Sequence, residues 1–160
     1  MTVRKKTPAA DATKQLKAFI DKFDQKDQKL IRAVRGAMRK RLPTANELVY
    51  DNYNFLVAGF SPNDRPSDAV LSIAMSARGV ALCFLQGAAL PDPHRILCGN
   101  GRVVRNLRLT SIADFKRPEV EMLIEVALDH CRVHFDPNRG GRFYVKSVSA
   151  KKRPRRQQSK

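Results

Sequence analysis

The chain has 160 residues, 42% of them hydrophobic and 29% charged, with 8 Gly and 9 Pro. A chain of this size buries roughly 68–70% of its extended surface as one domain, so collagen-like and wholly disordered classes are excluded. Thirty-one Lys and Arg against 15 Asp and Glu give a net charge of +16, and the excess sits mainly at the ends: residues 138–160 carry nine basic and no acidic residues. Such a balance attracts polyanions such as RNA, DNA or acidic lipid surfaces without specifying a fold.

Three widely spaced cysteines, Cys83, Cys98 and Cys131, do not make a disulfide framework. No secretory pattern opens the chain, and its longest nearly apolar stretch, around residues 80–90, is too short to cross a bilayer. A cytoplasmic protein with no membrane insertion is expected.

Residues 1–13 read as a flexible basic lead. Leu16, Phe19, Ile20 and Phe23 then fall at helical spacing and predict a short amphipathic helix ending near Lys22. Asp24 suits an N-cap for a second helix over about 25–40, whose buried stripe is Leu30, Ile31, Val34, Ala37 and Met38, and Pro43 stops it. Beyond Pro43 the period changes to two. Strands are predicted at about 47–50, 53–60, 69–75, 80–85 and 103–109, with Tyr53 and Phe55 inside a central strand that is apolar on much of both faces. Ser76-Ala77-Arg78-Gly79 reads as a tight hairpin in which Gly79 supplies a positive φ. Residues 87–101 are loop-rich, with a short helical turn expected around 94–97. Pro118 opens another helix, with Glu119 and Glu121 near its positive end and Val120, Leu123, Ile124 and Ala127 at core spacing, ending near Cys131. Residues 142–148 alternate and permit either a strand or an ordered surface crossing. Everything beyond 150, KKRPRRQQSK, is too polar to offset its ordering entropy and is expected to be disordered.

The expected fold class is therefore α+β: a single domain over 14–137, with a mainly antiparallel five-stranded sheet backed by N-terminal and C-terminal helices, between a basic lead (1–13) and a basic tail (138–160).

The stretch ELVYDNYNFLVAGFSPNDRPSDAVLSIAMSARGVALCFLQGAALPDP (47–93), with the preceding KDQKLIRAVRGAMRKRLPTANELVYDNY and the later ILCGNGRVVRNLRL (96–109), resembles the YdhG-like family, a domain of unknown function also written DUF1801. The resemblance spans about 16–133 and implies a small α+β domain with an antiparallel sheet backed by helices. One branch of that family is linked to a frataxin-like iron chaperone role, which would call on carboxylates near the first helices. Here Asp21, Asp24 and Asp27 are interleaved with Lys22, Lys26, Lys29 and Arg32, a positive field that opposes capture of a hard cation.

Two stretches present ligand-binding chemistry. Gly99-Asn100-Gly101 can expose successive backbone N–H groups, and Arg102 and Arg105 can add charge-assisted bonds to an anion, Arg105 being the better placed; the alternative is a structural turn. Tyr50, Asp51, Asn52, Tyr53 and Asn54 combine rings with amide and carboxylate groups, so Tyr50, Tyr53 and Asn54 are candidates to line a pocket; the alternative is a turn flanked by packed tyrosines. His94 with Cys98, and His130 with His134 around Cys131, have i,i+4 spacing but no firm helical platform, so no metal or other cofactor is expected. No nucleophile elbow, zincin, kinase or active-site cysteine signature is present, and no catalytic residue is assigned.

The leading expectation is a noncatalytic α+β binding or accessory module for an unidentified small molecule or protein. The first alternative is weak, nonspecific DNA or RNA association through Arg139, Arg142, Lys146, Lys151, Lys152, Arg153, Arg155, Arg156 and Lys160; an enzyme of uncharacterised type is the second.

Overall fold

The computed structural model describes residues 9–158. It is α+β, with one mixed six-stranded sheet and four helices. Helix α1 (Ala9–Asp21) ends where the periodicity predicts but begins earlier, because the alanines at its start are strong helix formers and Ala12, only 1% exposed, extends the buried stripe of Leu16, Phe19 and Ile20. The expected flexible lead is corrected from Ala9 onward, and residues 1–8 lie outside the described residues. Helix α2 (Gln25–Arg41) buries Ile31, Val34 and Met38, with Asp24 as its N-cap residue.

Strands β1 (Asn46–Asp51), β2 (Leu56–Ser61), β3 (Leu71–Ser76), β4 (Gly79–Phe84) and β5 (Arg105–Leu109) form an antiparallel meander. Gly79 closes the β3–β4 hairpin at φ 119°, as its position in the sequence implies. Short 3-10 turns at Pro66–Asp68 and Gly87–Ala89 shape the connections. No helical turn forms at 94–97; instead Asp92 accepts the backbone N–H groups of Ile96 and Leu97 at 3.0 Å each. A short helix α3 (Ile112–Phe115), fixed by a Ser111–Asp114 capping box, leads into α4 (Pro118–His130), which matches its predicted limits.

Two expectations are corrected by the sheet. Asp51 pairs with Leu56 and the Asn52 N–H donates to the Phe55 carbonyl at 2.9 Å, so residues 52–55 are the turn of the β1–β2 hairpin and not strand. Tyr53 and Phe55 are consequently 50% and 46% exposed. The sheet also has a sixth strand, β6 (Phe143–Val148), which pairs parallel to β1 and makes the order β5-β4-β3-β2-β1-β6. The expected five-stranded antiparallel sheet was thus one edge short, and the domain does not end at 137.

The register puts Val49, Ala58, Ile73, Leu82 and Leu107 on one face with Phe60, Phe84 and their alternating neighbours. These residues form a single apolar cluster with the buried residues of all four helices, so the helices share one face of the sheet. The other face carries Gly59, Ser72, Ala74, Ala81 and Cys83, small side chains that lie outside that cluster. Phe143 and Val145 of β6 pack against the same helix-side cluster.

Candidate functional site

Residues 143–156 are tied into the fold by strand pairing and hydrogen bonds, in place of the disorder expected beyond 150. Along their course the Ser149 N–H donates to the Asp51 carbonyl and the Arg153 N–H to the Tyr53 carbonyl, each at 2.8 Å. The Asp51 carboxylate, on a residue 1% exposed, accepts Lys152 Nζ at 2.5 Å and Arg155 Nη2 at 2.9 Å. Arg155 is itself only 5% exposed and also donates to the Asn52 carbonyl. Arg156 reaches the carbonyls of Asp21 and Lys22, where the end of α1 offers unpaired acceptors. Lys22 lies against this cluster, and its ammonium is held below its ordinary value by burial first and by the neighbouring Lys152 next.

Among the nine C-terminal cations proposed to meet phosphate, Lys152 and Arg155 are therefore committed to a buried carboxylate, and Arg156 is exposed but bonded to the end of α1. Arg153 stacks over the Tyr53 ring at 5.7 Å and Lys146 over the Tyr144 ring at 5.4 Å. Arg139, Arg142 and Lys151 are exposed with no carboxylate partner among the described residues, and Lys160 lies outside the described residues.

The two ligand-binding stretches are not brought together. Tyr50, Tyr53 and Asn54 lie at the β1–β2 hairpin, whereas Gly99, Gly101 and Arg105 stand by the far edge, four strands away. Four interstrand steps of about 4.8 Å put roughly 19 Å between the strands that carry them. Gly99 adopts φ 120°, consistent with a turn that requires glycine. The Arg105 guanidinium turns back onto the Gly101 and Val104 carbonyls of that loop, so the loop uses the arginine to close itself. Tyr50 is partly buried, while Tyr53 and Asn54 are exposed on a hairpin turn and line none of the larger hollows.

A hollow of about 590 Å³ lies between the two 3-10 turns and the end of α4, where Val70, Leu90, Ala127 and Val133 supply apolar walls. At its polar side the Asp68 carboxylate accepts Asn63 Nδ2 at 2.9 Å and Arg132 Nη2 at 3.0 Å. The Asn63 bond first, then Arg132, holds this carboxyl below the usual range. Cys131 borders the hollow with Sγ 2.9 Å from the Leu128 carbonyl oxygen and 3.7 Å from His134 Nδ1. Burial pushes its thiol up, the opposite of what an activated nucleophile needs. Cys83 is likewise pushed up by burial, opposed by a bond with Ser72, and Cys98 is exposed. Neither histidine–cysteine pair grows into a ligand set: among the described residues no three His, Cys, Asp or Glu side chains converge as metal ligands. Asp21 is engaged by Lys17 and Arg32 at 2.8 Å each, and Asp24 and Asp27 share a hollow with Lys26, Arg78 and Arg108.

No family model, curated protein or solved structure matches this chain.

What the sequence reading missed is a second concentration of cations where residues 138–142 meet the α2–β1 turn. Arg39 and Lys40 from the last turn of α2 and Arg142 from the start of β6 line a hollow of about 520 Å³. Arg139, Arg142, Asn46, Asn138 and Tyr144 line an adjoining one of about 400 Å³. A Cβ on Gly141 would collide with the Ala45 and Pro43 carbonyls, so glycine is required for this turn to lie flat on the other. The Arg142 N–H donates to Asn46 Oδ1 at 2.9 Å and its carbonyl accepts the Glu47 N–H at 2.8 Å, which fixes the backbone that carries the side chain. Glu47, the acidic residue bordering the first hollow, is buried and engaged by Arg35 at 2.5 and 3.0 Å. The sequence signal was present as the paired glycines between two arginines in NRGGR, next to the RKR that ends α2.

Proposed function

We infer that this chain is a noncatalytic α+β binding module that associates with nucleic acid, with little sequence selection, through cations fixed on its folded surface. The observation that carries this reading is the convergence of Arg39, Lys40, Arg139 and Arg142 where residues 138–142 meet the α2–β1 turn, with no ion pair to a carboxylate among the described residues. Cations held by backbone geometry approach phosphates without first losing the entropy of a disordered tail, and each phosphate they neutralise releases counterions. Burial raises the thiols of Cys83 and Cys131, which counts against either as a thiolate nucleophile. For the finer assignment we propose a YdhG-like domain, which rests on the resemblance of residues 47–93 and 96–109. Among the described residues no helix is long and apolar enough to cross a membrane.

A second reading rests on the 590 Å³ hollow beside Asp68 and Arg132, whose apolar walls and few polar groups have the character of a small-molecule site. The two are separated by titrating the full chain with a random duplex and a random single strand at two salt concentrations. Nucleic-acid association predicts binding that falls steeply with salt, with a log–log slope of about −0.9 per neutralised duplex phosphate. Absence of binding at the lower salt would discard the reading and leave the hollow as the module's site.

A further inference from the structure

We propose that the edge of the sheet at Arg142 and Tyr144 is a subsite for single-stranded nucleic acid, taking a phosphate on the Arg39–Lys40–Arg142 side and an unpaired base on the Tyr144 side. This rests on the nucleic-acid reading above and adds a ligand form and a location to it. The two hollows share Arg142, and successive residues of an extended strand point to opposite faces. Phe143 accordingly lines the first hollow with Arg39 and Lys40, and Tyr144 lines the second. One strand thickness separates a cationic hollow from one that holds a ring, and the shared arginine stands at the edge between them.

The chemistry of the two sides differs in the way a nucleotide requires. On the first side three cations face a space whose bordering carboxylate, Glu47, is already held by Arg35, so an incoming phosphate meets a net positive field. On the second side the Tyr144 ring is partly buried on an edge strand, with Lys146 over it at 5.4 Å, and Asn138 and Asp64 offer amide and carboxylate groups at the rim. A base that takes the place of the Lys146 ammonium over this ring gains a stacking platform open to any base, and the rim groups can meet base edges through donor and acceptor atoms alike. A duplex keeps its bases stacked on each other and offers this ring nothing, so the arrangement favours a single strand. A phosphate-only surface would not need the aromatic side at all.

The test uses the full chain, fluorescently labelled oligouridylate and a duplex of random sequence, each at two salt concentrations. Tyr144→Ala is expected to weaken oligouridylate binding about fivefold or more, the lower end of what loss of one stacked base produces, while changing duplex affinity less than about twofold and leaving the salt slope as it was. Tyr144→Phe keeps the ring and is expected to bind as the parent does, and it guards against reading an unfolded edge strand as a binding defect; the thermal transitions of both variants are compared with that of the parent. Arg142→Ala is expected to weaken both ligands and to reduce the single-strand salt slope by about 0.7, whereas Arg102→Ala, exposed near the opposite edge, should do so less. Equal effects of Tyr144→Ala on single strand and duplex, no effect on either, or loss of binding in Tyr144→Phe would overturn the subsite. Failure of the parent protein to bind either nucleic acid would overturn the nucleic-acid reading itself.

Discussion

Tyr53 and Arg155 exchange the places that their side-chain chemistry suggests. The aromatic residue, just ahead of the apolar run 55–60, is 50% exposed on a hairpin turn; the arginine, in a run of charges, is 5% exposed and paired with a buried carboxylate. The two segments touch, because Arg153 stacks on Tyr53 and donates its backbone N–H to the Tyr53 carbonyl. Hydrophobicity averaged along the chain fails at both, since burial follows from which backbone a segment pairs with. Residues 52–55 have no strand partner once Asp51 pairs with Leu56, and residues 143–148 gain one because the outer side of β1 is open to them.

The most severe way to break the comparison is to remove the second segment. A chain ending at residue 137 loses β6, the Phe143 and Val145 contacts with the core, and both partners of Asp51. Leaving a buried charge without its partner costs about 3–5 kcal/mol, and near this size each kcal/mol lowers Tm by about 2–4 °C. A fall of about 10 °C or more, or loss of cooperative unfolding, is expected by circular dichroism. An unchanged transition would show that the segment merely rests on a finished domain.

A finer comparison sets Arg155→Ala against Tyr53→Ala. Lys152 still faces Asp51 after the first substitution, so its cost is expected near the lower end of the buried-pair range, about 3 kcal/mol. The second removes an exposed ring and one cation–π contact and is expected to cost no more than about 1 kcal/mol. Urea titration checks the ordering, and a larger loss for Tyr53→Ala would restore the ring to the core.

The smallest effect concerns the point where Arg156 meets the end of α1. The Asp21 carboxyl there is held below its usual range, chiefly by its bond with Lys17 and further by Arg32. A folded-state value below the unfolded one of about 3.9 contributes stability above that pH, which is lost as pH falls through the folded value. Asp21→Asn is therefore expected to lower stability slightly at pH 7 and to make the decline below about pH 4 shallower. Denaturant midpoints at several acidic pH values test this; an unchanged acid slope would mean that Lys17 and Arg32 do not sense the folded state.

Local periodicity sufficed for α2, α4 and the β3–β4 hairpin. Each is specified within a few residues, by an apolar stripe ended at Pro43, by a proline start with acidic first turn, and by Gly79 at positive φ. Composition also placed excess positive charge after 138, because charge is counted without knowing the fold. Pairing between distant segments decided the rest. The parallel join of β6 to β1 links positions about a hundred residues apart, and no local pattern encodes such a partner. The same join buried Arg155 and carried Arg142 and Tyr144 to the sheet edge beside Arg39 and Lys40. A side chain's chemistry is written in the sequence, but its partner depends on which backbones the folded chain has already brought alongside.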